Sequence, residues 1–452
     1  MKVVKPQHSS RSGSTKTADA LRRSLPAVIK IESDSETDQS DGDVVFIKQE
    51  QHQHRGHQHS PLSLQLPESG QLSRKLTALH LILQQFKLSP TLPHHPFTRK
   101  PKLKFRPPPC TVLNLNSLTF TAPLEEQVEL EDLYFLHYAL TFAKKTVVIT
   151  GAGVSVHSGI PDFRSSEGLF QGLANKSTGS GKNLFDYNVF RSPESIEKFE
   201  NMIEKLYHLS TQAQPSPFHH LINEISKQGR LLRSYTQNID CLDTQLDNLQ
   251  TMTPLTFSKT DIPPTVQLHG SIKSLNCSKC SHITELTPHY FTSKLIRPCP
   301  SCEELNVVRS IAGKRTQNSG ILRPRIVLYN EFHPDGEVIG SITERDLKSK
   351  PDCLIVTGTT LKIPGVRRLV KEMAKVVHAN NGYVIWINID EPPQSVIDYV
   401  EYFDLVVVGD CQLIPGLVRL FDYLDPFQSN PKPKTAKMKT QKPTPPPKAS
   451  KI

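Results

Sequence analysis

Four cysteines in the middle of the chain have the spacing of a metal site. Cys277-x-x-Cys280 is followed, after eighteen residues, by Cys299-x-x-Cys302. Two such knuckles bring four thiolates to a tetrahedron with sulfur about 2.3 Å from zinc, and four protein ligands leave no open position. We therefore predict one structural zinc ion. A nucleic-acid-binding zinc ribbon is the competing interpretation, although residues 277–302 have no dense stripe of basic and aromatic side chains.

A glycine-rich turn follows a strand-like run earlier in the chain. TVVIT (146–150) leads directly into Gly151, Ala152 and Gly153. Glycine lets a backbone approach a pyrophosphate closely, and a following helix presents N–H groups to the charge. The pattern alone also fits an ordinary tight turn, because Val156 stands where a dinucleotide fingerprint has its third glycine. The continuation GIPDFRS (159–165) favours a specialised loop.

Two polar motifs farther along are suited to binding and proton transfer. Gln237, Asn238, Ile239 and Asp240 end a strand-like stretch, where amide and carboxylate groups are placed to hold ribose hydroxyls and a carboxamide. In isolation this motif is also typical of a polar turn. His269 has an ordinary pKa of about 6.5, which suits proton transfer at neutral pH. A lone histidine is more often a hydrogen-bonded structural residue.

In combination and in this order, the motifs make the chain resemble the sirtuin family of NAD-dependent protein deacylases. The resemblance spans about residues 124–425. Its motifs are GAGVSVHSGIPDFRS (151–165), EGLF (167–170), TQNID (236–240), LHG (268–270), the paired Cys-x-x-Cys, GTT (358–360), INID (387–390) and GDC (409–411). It implies a large Rossmann-like domain with a small zinc-bearing domain inserted, and NAD with acetyl-lysine in the cleft between them. This agrees with ligand binding at the switch point of open parallel sheets.

The resemblance implies roles in NAD binding for individual residues. Gln237 and Asn238 would contact the nicotinamide ribose, with Asn238 also ordering a water molecule, and Ile239 and Asp240 would hold the nicotinamide carboxamide. Phe163 would cover that pocket after nicotinamide leaves. The other expected NAD contacts are Gly151, Ala152, Gly153, Ser155, Asp162, Arg164, Gly358, Thr359, Thr360, Asn388, Ile389 and Cys411.

The implied reaction consumes NAD and does not reduce it. The acetyl oxygen attacks the anomeric carbon of the nicotinamide ribose and displaces nicotinamide, and His269 then acts as general base toward the ribose hydroxyls. Water completes the release of free lysine and O-acetyl-ADP-ribose. We expect His269 and Asn238 to be the catalytic residues.

Two segments match the edges between which sirtuins bind an extended peptide as an added strand. They are Asn330-Glu331-Phe332 and Lys362-Ile363-Pro364, and Val327 would line the acyl-lysine tunnel with Phe163. The family usually has Gly where Asn330 stands and Ser where Thr360 stands. Asn tolerates a left-handed backbone and Thr keeps a hydroxyl, so both departures are chemically mild.

The connection after Asp240 departs more strongly from the family pattern. It begins CLDTQLDNLQ (241–250), lacks the common Gly-Leu-His continuation, and is longer. Together with the long tails, this resembles the divergent fungal nuclear branch of sirtuins that acts on histones. The leading interpretation is a NAD-dependent histone or protein lysine deacetylase in the nucleus. A weakly active chromatin adaptor and a mono-ADP-ribosyltransferase are the alternatives, and the intact Asn238, Asp240 and His269 favour the deacetylase over the adaptor.

The elements that position these residues alternate along the chain. A helical pattern over 130–143 precedes the strand at 146–150. Further strand-like runs are RIVLY (325–329), CLIVTG (353–358), YVIWINI (383–389) and DLVVVG (404–409), and a helical pattern covers 366–379. Such alternation predicts an α/β fold, a parallel sheet with helices on both faces. We expect a catalytic domain over 123–427, with the zinc module inserted at about 271–310.

The regions flanking this domain have the composition of tails. Residues 1–122 are expected to be mostly disordered, with a docking helix at 72–88 as one interpretation of its apolar spacing. The formal charge of the chain is +10, and 428–452 is a basic Pro/Lys-rich tail. Such a tail tracks phosphate backbones or is read as an import signal, or it is solvated without a specific partner, and these interpretations stay open. No apolar run approaches the roughly 18–20 residues of a membrane helix, so no membrane partner is expected.

Two short segments of the N-terminal tail place β-branched residues beside acidic ones. Residues 28–31 and 44–47 resemble motifs that bind the ubiquitin-like modifier SUMO by adding a strand to its sheet. Ile29-Lys30-Ile31-Glu32 and Ile47-Lys48-Gln49-Glu50 also match the apolar-Lys-x-Glu pattern on which that modifier is attached. A chance alternation in a solvated tail is the alternative.

Overall fold

A computed structural model of the chain describes residues 100–117, 130–162, 184–258, 261–292 and 297–421. Its strands are β1 (Thr111–Asn114), β2 (Thr146–Thr150), β3 (Leu231–Thr236), β4 (Thr265–Gln267), β5 (Gly270–Cys277), β6 (Ile283–Glu285), β7 (Leu322–Ile326), β8 (Cys353–Thr357), β9 (Tyr383–Asn388) and β10 (Leu405–Val408). Its helices are α1 (Leu130–Phe142), α2 (Pro193–Gln212), α3 (Pro217–Lys227), α4 (His289–Thr292), α5 (Pro300–Ile311), α6 (Gly336–Lys348), α7 (Pro364–Ala379), α8 (Gln394–Val400) and α9 (Ile414–Phe421). The segments 28–31, 44–47 and 72–88 lie outside the described residues.

Seven of the described strands form one parallel sheet, in the order β1-β10-β9-β8-β2-β3-β4. The central strands β2 and β8 are buried at every position because helices cover both faces. In β2, Val148 packs in one core, whereas Val147 and Ile149 pack in the other. The alternation along β2 therefore distributes one apolar run between two cores, as the predicted α/β fold requires.

The helices divide between these two cores. Residues of α1, α3 and α9 pack on one face of the sheet, and residues of α6, α7 and α8 pack on the other. In α7 the buried positions include Val366, Leu369, Val370, Met373 and Val377, which follow helical spacing. Among the described residues, no helix has the length and apolarity that crossing a bilayer would require.

The run RIVLY (325–329) does not add a strand to the parallel sheet as the sequence suggested. The strand there is β7, which pairs antiparallel with β5 in a three-stranded sheet ordered β6-β5-β7. Gly270 allows this pairing, because its φ is +83° and a Cβ there would lie 2.1 Å from the carbonyl oxygen of Arg325. Helix α2 packs through Phe199 and Ile203 on Ile272 of β5, and this forms a third core beside the large domain.

Residues 100–117 also differ from the expected N-terminal tail, because they pack on the domain. Strand β1 pairs with β10 at the outer edge of the parallel sheet. Arg106 donates from Nε to the carboxylate of Asp404 at 3.1 Å and from Nη2 to the carbonyl of Gly382 at 2.9 Å. The basic, proline-rich composition of this segment masked a strand of only four residues.

The described chain enters and leaves the fold along the same helix, α1. Near the start, the hydroxyl of Tyr138 donates to the carbonyl of Pro101. Near the end, the carbonyl of Val418 in α9 lies 2.9 Å from Nδ1 of His137. Adjacent residues of α1 thus hold both termini of the described fold.

Candidate active site

A cavity of about 850 Å³ opens where β2, β3, β8, β9 and β10 end. This size is in the range of cavities that hold small-molecule ligands. The polar turns after these parallel strands meet here because all carboxyl ends of a parallel sheet lie at one edge. The predicted site residues that line the cavity are Gly151, Ala152, Gly153, Asp162, Gln237, Asn238, Ile239, His269, Val327, Gly358, Thr359, Thr360, Ile363, Asn388, Ile389 and Cys411.

Other predicted residues lie away from the cavity lining. Ser155 and Asp240 are buried and are not part of the lining. Asn330, Glu331 and Phe332 follow β7 outside the lining. The remaining two predicted NAD contacts, Phe163 and Arg164, lie outside the described residues.

The glycine turn after β2 packs against a second glycine turn after β8. Gly151 donates to the carbonyl of Thr357 at 3.0 Å, and Gly153 donates to the carbonyl of Gly358 at 2.9 Å. A Cβ on Gly151 or Gly153 would lie 2.6 Å or 2.8 Å from atoms of Gly358. Two short 3₁₀ turns, Ala152–Val154 and Val156–Ser158, follow in place of the expected helix. These glycines therefore serve the contact between two turns, and their amides are used within the protein.

Asn238 is held on two sides, and one polar atom of its side chain has no partner among the described residues. Its backbone N–H donates to Oγ1 of Thr236 at 3.1 Å, and Nδ2 donates to Oγ of Ser155 at 3.0 Å. Its Oδ1 is buried and has no hydrogen-bond partner among the described residues. A buried carbonyl oxygen without a partner is costly, so this atom fits a hydrogen-bond donor on a bound ligand.

Asp240 lies under Asn238 in the same hydrogen-bond network. Burial raises the pKa of Asp240, while the backbone N–H of Leu242 and the hydroxyl of Ser155 act in the opposite direction. The N–H of Leu242 donates to Oδ1 at 3.0 Å. Ser155 thus joins Asn238 and Asp240, and its role in the described network is to connect these two side chains.

His269 has a fixed tautomer and an unused nitrogen. Its Nδ1 lies 2.9 Å from the carbonyl of Gln237, and a carbonyl only accepts, so the proton is on Nδ1. The lone pair is then on Nε2, which is buried and lacks a partner in the described part of the chain. Burial lowers the pKa of His269 to about 4. The imidazole is therefore neutral at physiological pH and able to accept a proton at Nε2.

Side chains after β3, β8 and β9 fix the turns around the cavity to one another. Gln237 donates from Nε2 to Oγ1 of Thr359 at 2.9 Å and to the carbonyl of Thr150 at 3.2 Å. Asn388 donates from Nδ2 to the carbonyl of Thr359 at 3.0 Å. These bonds connect the ends of four strands, β2, β3, β8 and β9, so the cavity is formed before any ligand binds.

One expected peptide-binding edge has side chains that are engaged within the protein. Asn330 adopts φ +64°, the left-handed backbone expected for it, and donates from Nδ2 to Asp186 at 2.6 Å. The Glu331 carboxylate pairs with Arg323 and accepts from the N–H of Leu328. Any contact of Glu331 with a peptide therefore has to come from its backbone. Phe332 is 59% exposed.

The four predicted zinc ligands converge. Their sulfur atoms all lie within 4.8 Å of one another, with Cys277 and Cys302 at 3.7 Å and Cys280 and Cys299 at 3.5 Å. A tetrahedral zinc with 2.3 Å bonds requires sulfur separations of about 3.8 Å. Gly320 is required beside the cluster, since a Cβ there would lie 2.4 Å from Sγ of Cys277. The cluster fits one structural zinc with a closed coordination sphere.

Several residues that line the cavity were not predicted from the sequence. They are Val156, His157, Gly159, Ile160, Pro161, Phe185, Ile326, Tyr329, Ile387, Asp390, Gly409 and Asp410. Gly409 and Asp410 follow β10, so the rule that strand ends meet at one edge would have found them. Phe185 and Tyr329 meet through the bond from the Tyr329 N–H to the carbonyl of Phe185, a contact without a signal in the sequence pattern.

Known proteins resemble this chain throughout the described domain. A family model described as the Sir2 family matches residues 151–365. The NAD-dependent histone deacetylase HST4 of Saccharomyces cerevisiae is 45% identical over 348 residues, 74% of this chain and 92% of that protein. The NAD-dependent protein deacetylase hst4 of Schizosaccharomyces pombe is 48% identical over 319 residues, 69% of this chain and 75% of that protein. A crystal structure of a Sir2 homolog–NAD complex aligns with a TM-score of 0.47 at 24% identity, over 64% of this chain and 94% of that chain. With relatives this similar over most of both sequences, the chain belongs to the Sir2 family, the sirtuins.

Proposed function

We propose that this protein is a NAD-dependent protein lysine deacetylase that acts on histones in the nucleus. The observation that carries the proposal is the pair of buried polar atoms without partners among the described residues, His269 Nε2 and Asn238 Oδ1, at one cavity. The names of the most similar relatives, which are NAD-dependent histone or protein deacetylases, support the substrate class.

The residues around the cavity divide into binding and proton-transfer groups. NAD, when bound, supplies the ribose carbon that releases nicotinamide and receives the acetyl oxygen. The turns at Gly151–Gly153, Gln237–Asp240 and Gly358–Thr360 would hold it, together with Asn388, Ile389 and Cys411. Asn238 Oδ1 would accept a hydrogen bond from a hydroxyl or a water. His269 Nε2 would accept a proton from a hydroxyl, and the carbonyl of Gln237 would stabilise the resulting imidazolium at Nδ1.

The acylated lysine would reach this centre past Val327. The N–H of Val327 donates to the carbonyl of His269 at 2.9 Å, so the two residues are fixed next to each other. Ile363, on the other side, is 9% exposed and lines the same cavity. A peptide would bind between the segments 330–332 and 362–364 through main-chain hydrogen bonds, with Val327 and Ile363 against the apolar acyl-lysine.

The proposal is tested with the purified full chain, NAD and acetylated histones. Nicotinamide release and loss of acetyl groups should proceed together and should both require the acetylated substrate. The variant His269→Ala should be inactive, and His208→Ala, at an exposed position of α2, should match the wild type. Nicotinamide release without loss of acetyl groups, with ADP-ribose attached to protein, would instead identify a mono-ADP-ribosyltransferase.

We also propose roles for the two tails, both outside the described residues. Segments 28–31 and 44–47 would bind SUMO as an added strand. A titration of a peptide of residues 25–52 with the modifier, followed by NMR, tests this, and unchanged shifts at millimolar concentration would exclude it. The basic tails would contact nucleic acid through phosphates, so removal of 428–452 should weaken DNA binding and reduce its salt dependence.

A further inference from the structure

Gln412 directly follows the residues that line the cavity at the end of β10. Gly409, Asp410 and Cys411 belong to the lining, and Gln412 is the second residue of the 3₁₀ turn Cys411–Leu413. The carboxylate of Asp410 accepts the backbone N–H of Gln412 at 3.0 Å and caps this turn. Gln412 itself is half-buried and is not part of the lining, so it acts on a ligand only through its neighbours.

The side-chain amide of Gln412 is hydrogen-bonded at both ends. Its Nε2 donates to the carbonyl of Val154 at 3.1 Å, and its Oε1 accepts the backbone N–H of Phe218 at 3.0 Å. A carbonyl only accepts and an N–H only donates, so the orientation of the amide is fixed. Val154 follows Gly153 in the turn after β2, and Phe218 lies in the first turn of α3, where N–H groups have no partner within the helix. One side chain therefore joins two turns and the start of a helix.

The two turns that Gln412 joins belong to strands that are not neighbours. In the parallel sheet, β9 and β8 lie between β10 and β2, which places these two strands about 14 Å apart at the usual spacing of about 4.8 Å. Hydrogen bonds between adjacent strands fix each step inside the sheet, whereas the turns lie beyond the strand ends. The bond from Gln412 to Val154 thus acts directly on the separation of the turn after β10 from the turn after β2.

This separation concerns the part of NAD that is remote from the reacting ribose. Asn238 follows β3, and β10 lies four positions from β3 in the sheet, roughly 19 Å away. NAD consists of two nucleosides joined by a pyrophosphate, so its adenosine would lie near the turn after β10. We propose that Gln412 is a positioning residue, which holds this turn against the turn after β2 and so sets the width of the cavity for the adenosine of NAD. The inference rests on the proposed function, because it requires NAD in the cavity.

Gln412→Met should raise the KM for NAD and leave kcat nearly unchanged. Methionine keeps the length of the side chain and removes both hydrogen bonds of the amide. Contacts to the remote adenosine are equally strong in the ground state and the transition state, so their loss affects binding and not the chemical step. We expect the KM for NAD to rise about 3-fold to 10-fold, the effect of one hydrogen bond. A residue needed only for stability would instead lower the amount of active protein, and hence kcat, without a change in KM.

The experiment compares the full-length wild type with Gln412→Met and with Ser216→Ala. Ser216 precedes α3, and its Oγ lies 2.8 Å from Nδ1 of His219. Ser216→Ala therefore weakens the start of α3, as Gln412→Met does, but it leaves the two turns joined. Kinetics with NAD and an acetylated histone peptide give the KM for NAD, and calorimetry gives the affinity for ADP-ribose, which is NAD without its nicotinamide.

Gln412→Met should weaken ADP-ribose binding by the same factor as it raises the KM for NAD, because both ligands carry the adenosine. Its KM for the peptide should not change. Ser216→Ala should have the wild-type KM for NAD and the wild-type affinity for ADP-ribose. An unchanged KM for NAD and an unchanged ADP-ribose affinity in Gln412→Met would overturn the proposal.

Gln412→Glu separates the two hydrogen bonds of the amide. Its carboxylate still accepts the N–H of Phe218 but cannot donate to the carbonyl of Val154. The KM for NAD should rise as in Gln412→Met, and the rise should persist at 1 M salt, where repulsion between the carboxylate and the phosphates of NAD is screened. A rise that disappears at high salt would assign the effect to charge and overturn the role of the bond to Val154.

The wild type distinguishes failure of this inference from failure of the proposed function. A wild type that binds ADP-ribose and consumes NAD, beside a Gln412→Met variant with unchanged constants, removes only the role of Gln412. A wild type that binds neither NAD nor ADP-ribose would contradict the proposed function and, with it, this inference.

Discussion

At the scale of single residues, the site is defined by polar atoms that the protein buries without satisfying. His269 Nε2 and Asn238 Oδ1 lack partners among the described residues, while the other polar groups of both side chains are hydrogen-bonded. Burying a polar atom in this way typically costs about 1–3 kcal/mol. The fold tolerates this cost at the place where a ligand would remove it.

Replacement of His269 by alanine should lower the rate of deacetylation by about 10²-fold to 10⁴-fold, because a positioned general base is lost. The melting temperature of His269→Ala should fall less than that of a variant that loses an apolar core side chain. The reason is that the substitution also removes a buried nitrogen that has no hydrogen-bond partner among the described residues. Turnover measurements and thermal unfolding, run in parallel, check both parts. Wild-type turnover in the alanine variant would contradict the assigned role of His269.

The sequence predicts which residues reach the site better than it predicts the direction of their side chains. A strand end predicts the position of Gln237 and Asn238, the resemblance to sirtuins adds His269, and all three residues line one cavity. Ser155 and Asp240, which we expect to contact NAD, are buried and lie outside the cavity lining in the described structure, so their contact with NAD stays a prediction. Position along a strand determines which edge a residue reaches, whereas the direction of a side chain after a turn depends on the neighbours that it meets.

At the scale of elements, the contact between the turns after β2 and β8 shapes the cavity. Gly358 has φ +63°, and a Cβ there would lie 2.7 Å from the backbone nitrogen of Val154. The glycines of both turns are needed for this contact. From the sequence, the glycines after β2 were expected only to let the backbone approach a phosphate. The spacing of Gly151 and Gly153 predicts a turn after β2, but it does not indicate which other turn packs against it.

Gly358→Ala should therefore destabilise the protein more than Gly159→Ala. Gly159 has φ +83°, but a Cβ there meets nothing within 4 Å, so only backbone strain of about 1 kcal/mol is expected. Gly358→Ala adds a clash with backbone to the same kind of strain. Denaturant unfolding of both variants measures the difference. Equal losses would show that the contact between the two turns is not required.

The zinc cluster offers a second test at this scale. Cys299→Ser should lose the zinc and unfold the small domain, because binding of a structural metal is coupled to folding. Cys110→Ser, at a cysteine outside the cluster, should retain one zinc per chain. Metal analysis and thermal unfolding check this. A full zinc content with unchanged melting in Cys299→Ser would exclude the four-cysteine site.

At this scale, the sequence predicted the strand β2, which is buried on both faces, more accurately than the strands β1 and β7. Strands covered on both faces are continuous apolar runs, so TVVIT was predicted with the observed limits of β2. The short strand β1 and the antiparallel pairing of β7 were not predicted. Both depend on partners distant in sequence, β10 for the first and β5 for the second.

At the scale of the whole molecule, the free energy of unfolding should depend on pH because several buried histidines are neutral in the folded state. Burial lowers the pKa of His219, His269 and His333 to about 4 each, and His333 is close enough to His269 for their charges to interact. The unfolded chain has histidine pKa values of about 6.5. Between about pH 6.5 and 4, the unfolded state binds more protons, so the free energy of unfolding falls as the pH falls.

His219→Gln should weaken this pH dependence without loss of the helix cap. His219 occupies the third position of α3 and accepts the N–H of Ser216 at 3.0 Å, and glutamine commonly makes the same bond. Melting temperatures from pH 7 to pH 4.5 should fall less steeply in the variant. A slope identical to that of the wild type would remove His219 from the acid response.

The two ends of the described fold meet at one helix, and this has a consequence for the flanking regions. Pro101 contacts Tyr138 and Val418 contacts His137, so residues 1–99 and 422–452 are attached to neighbouring points on α1. A partner bound by one flank would thereby be kept within the reach of the other flank. Two individually weak attachments to a large target, such as a length of chromatin, would then act together with an avidity greater than that of either alone.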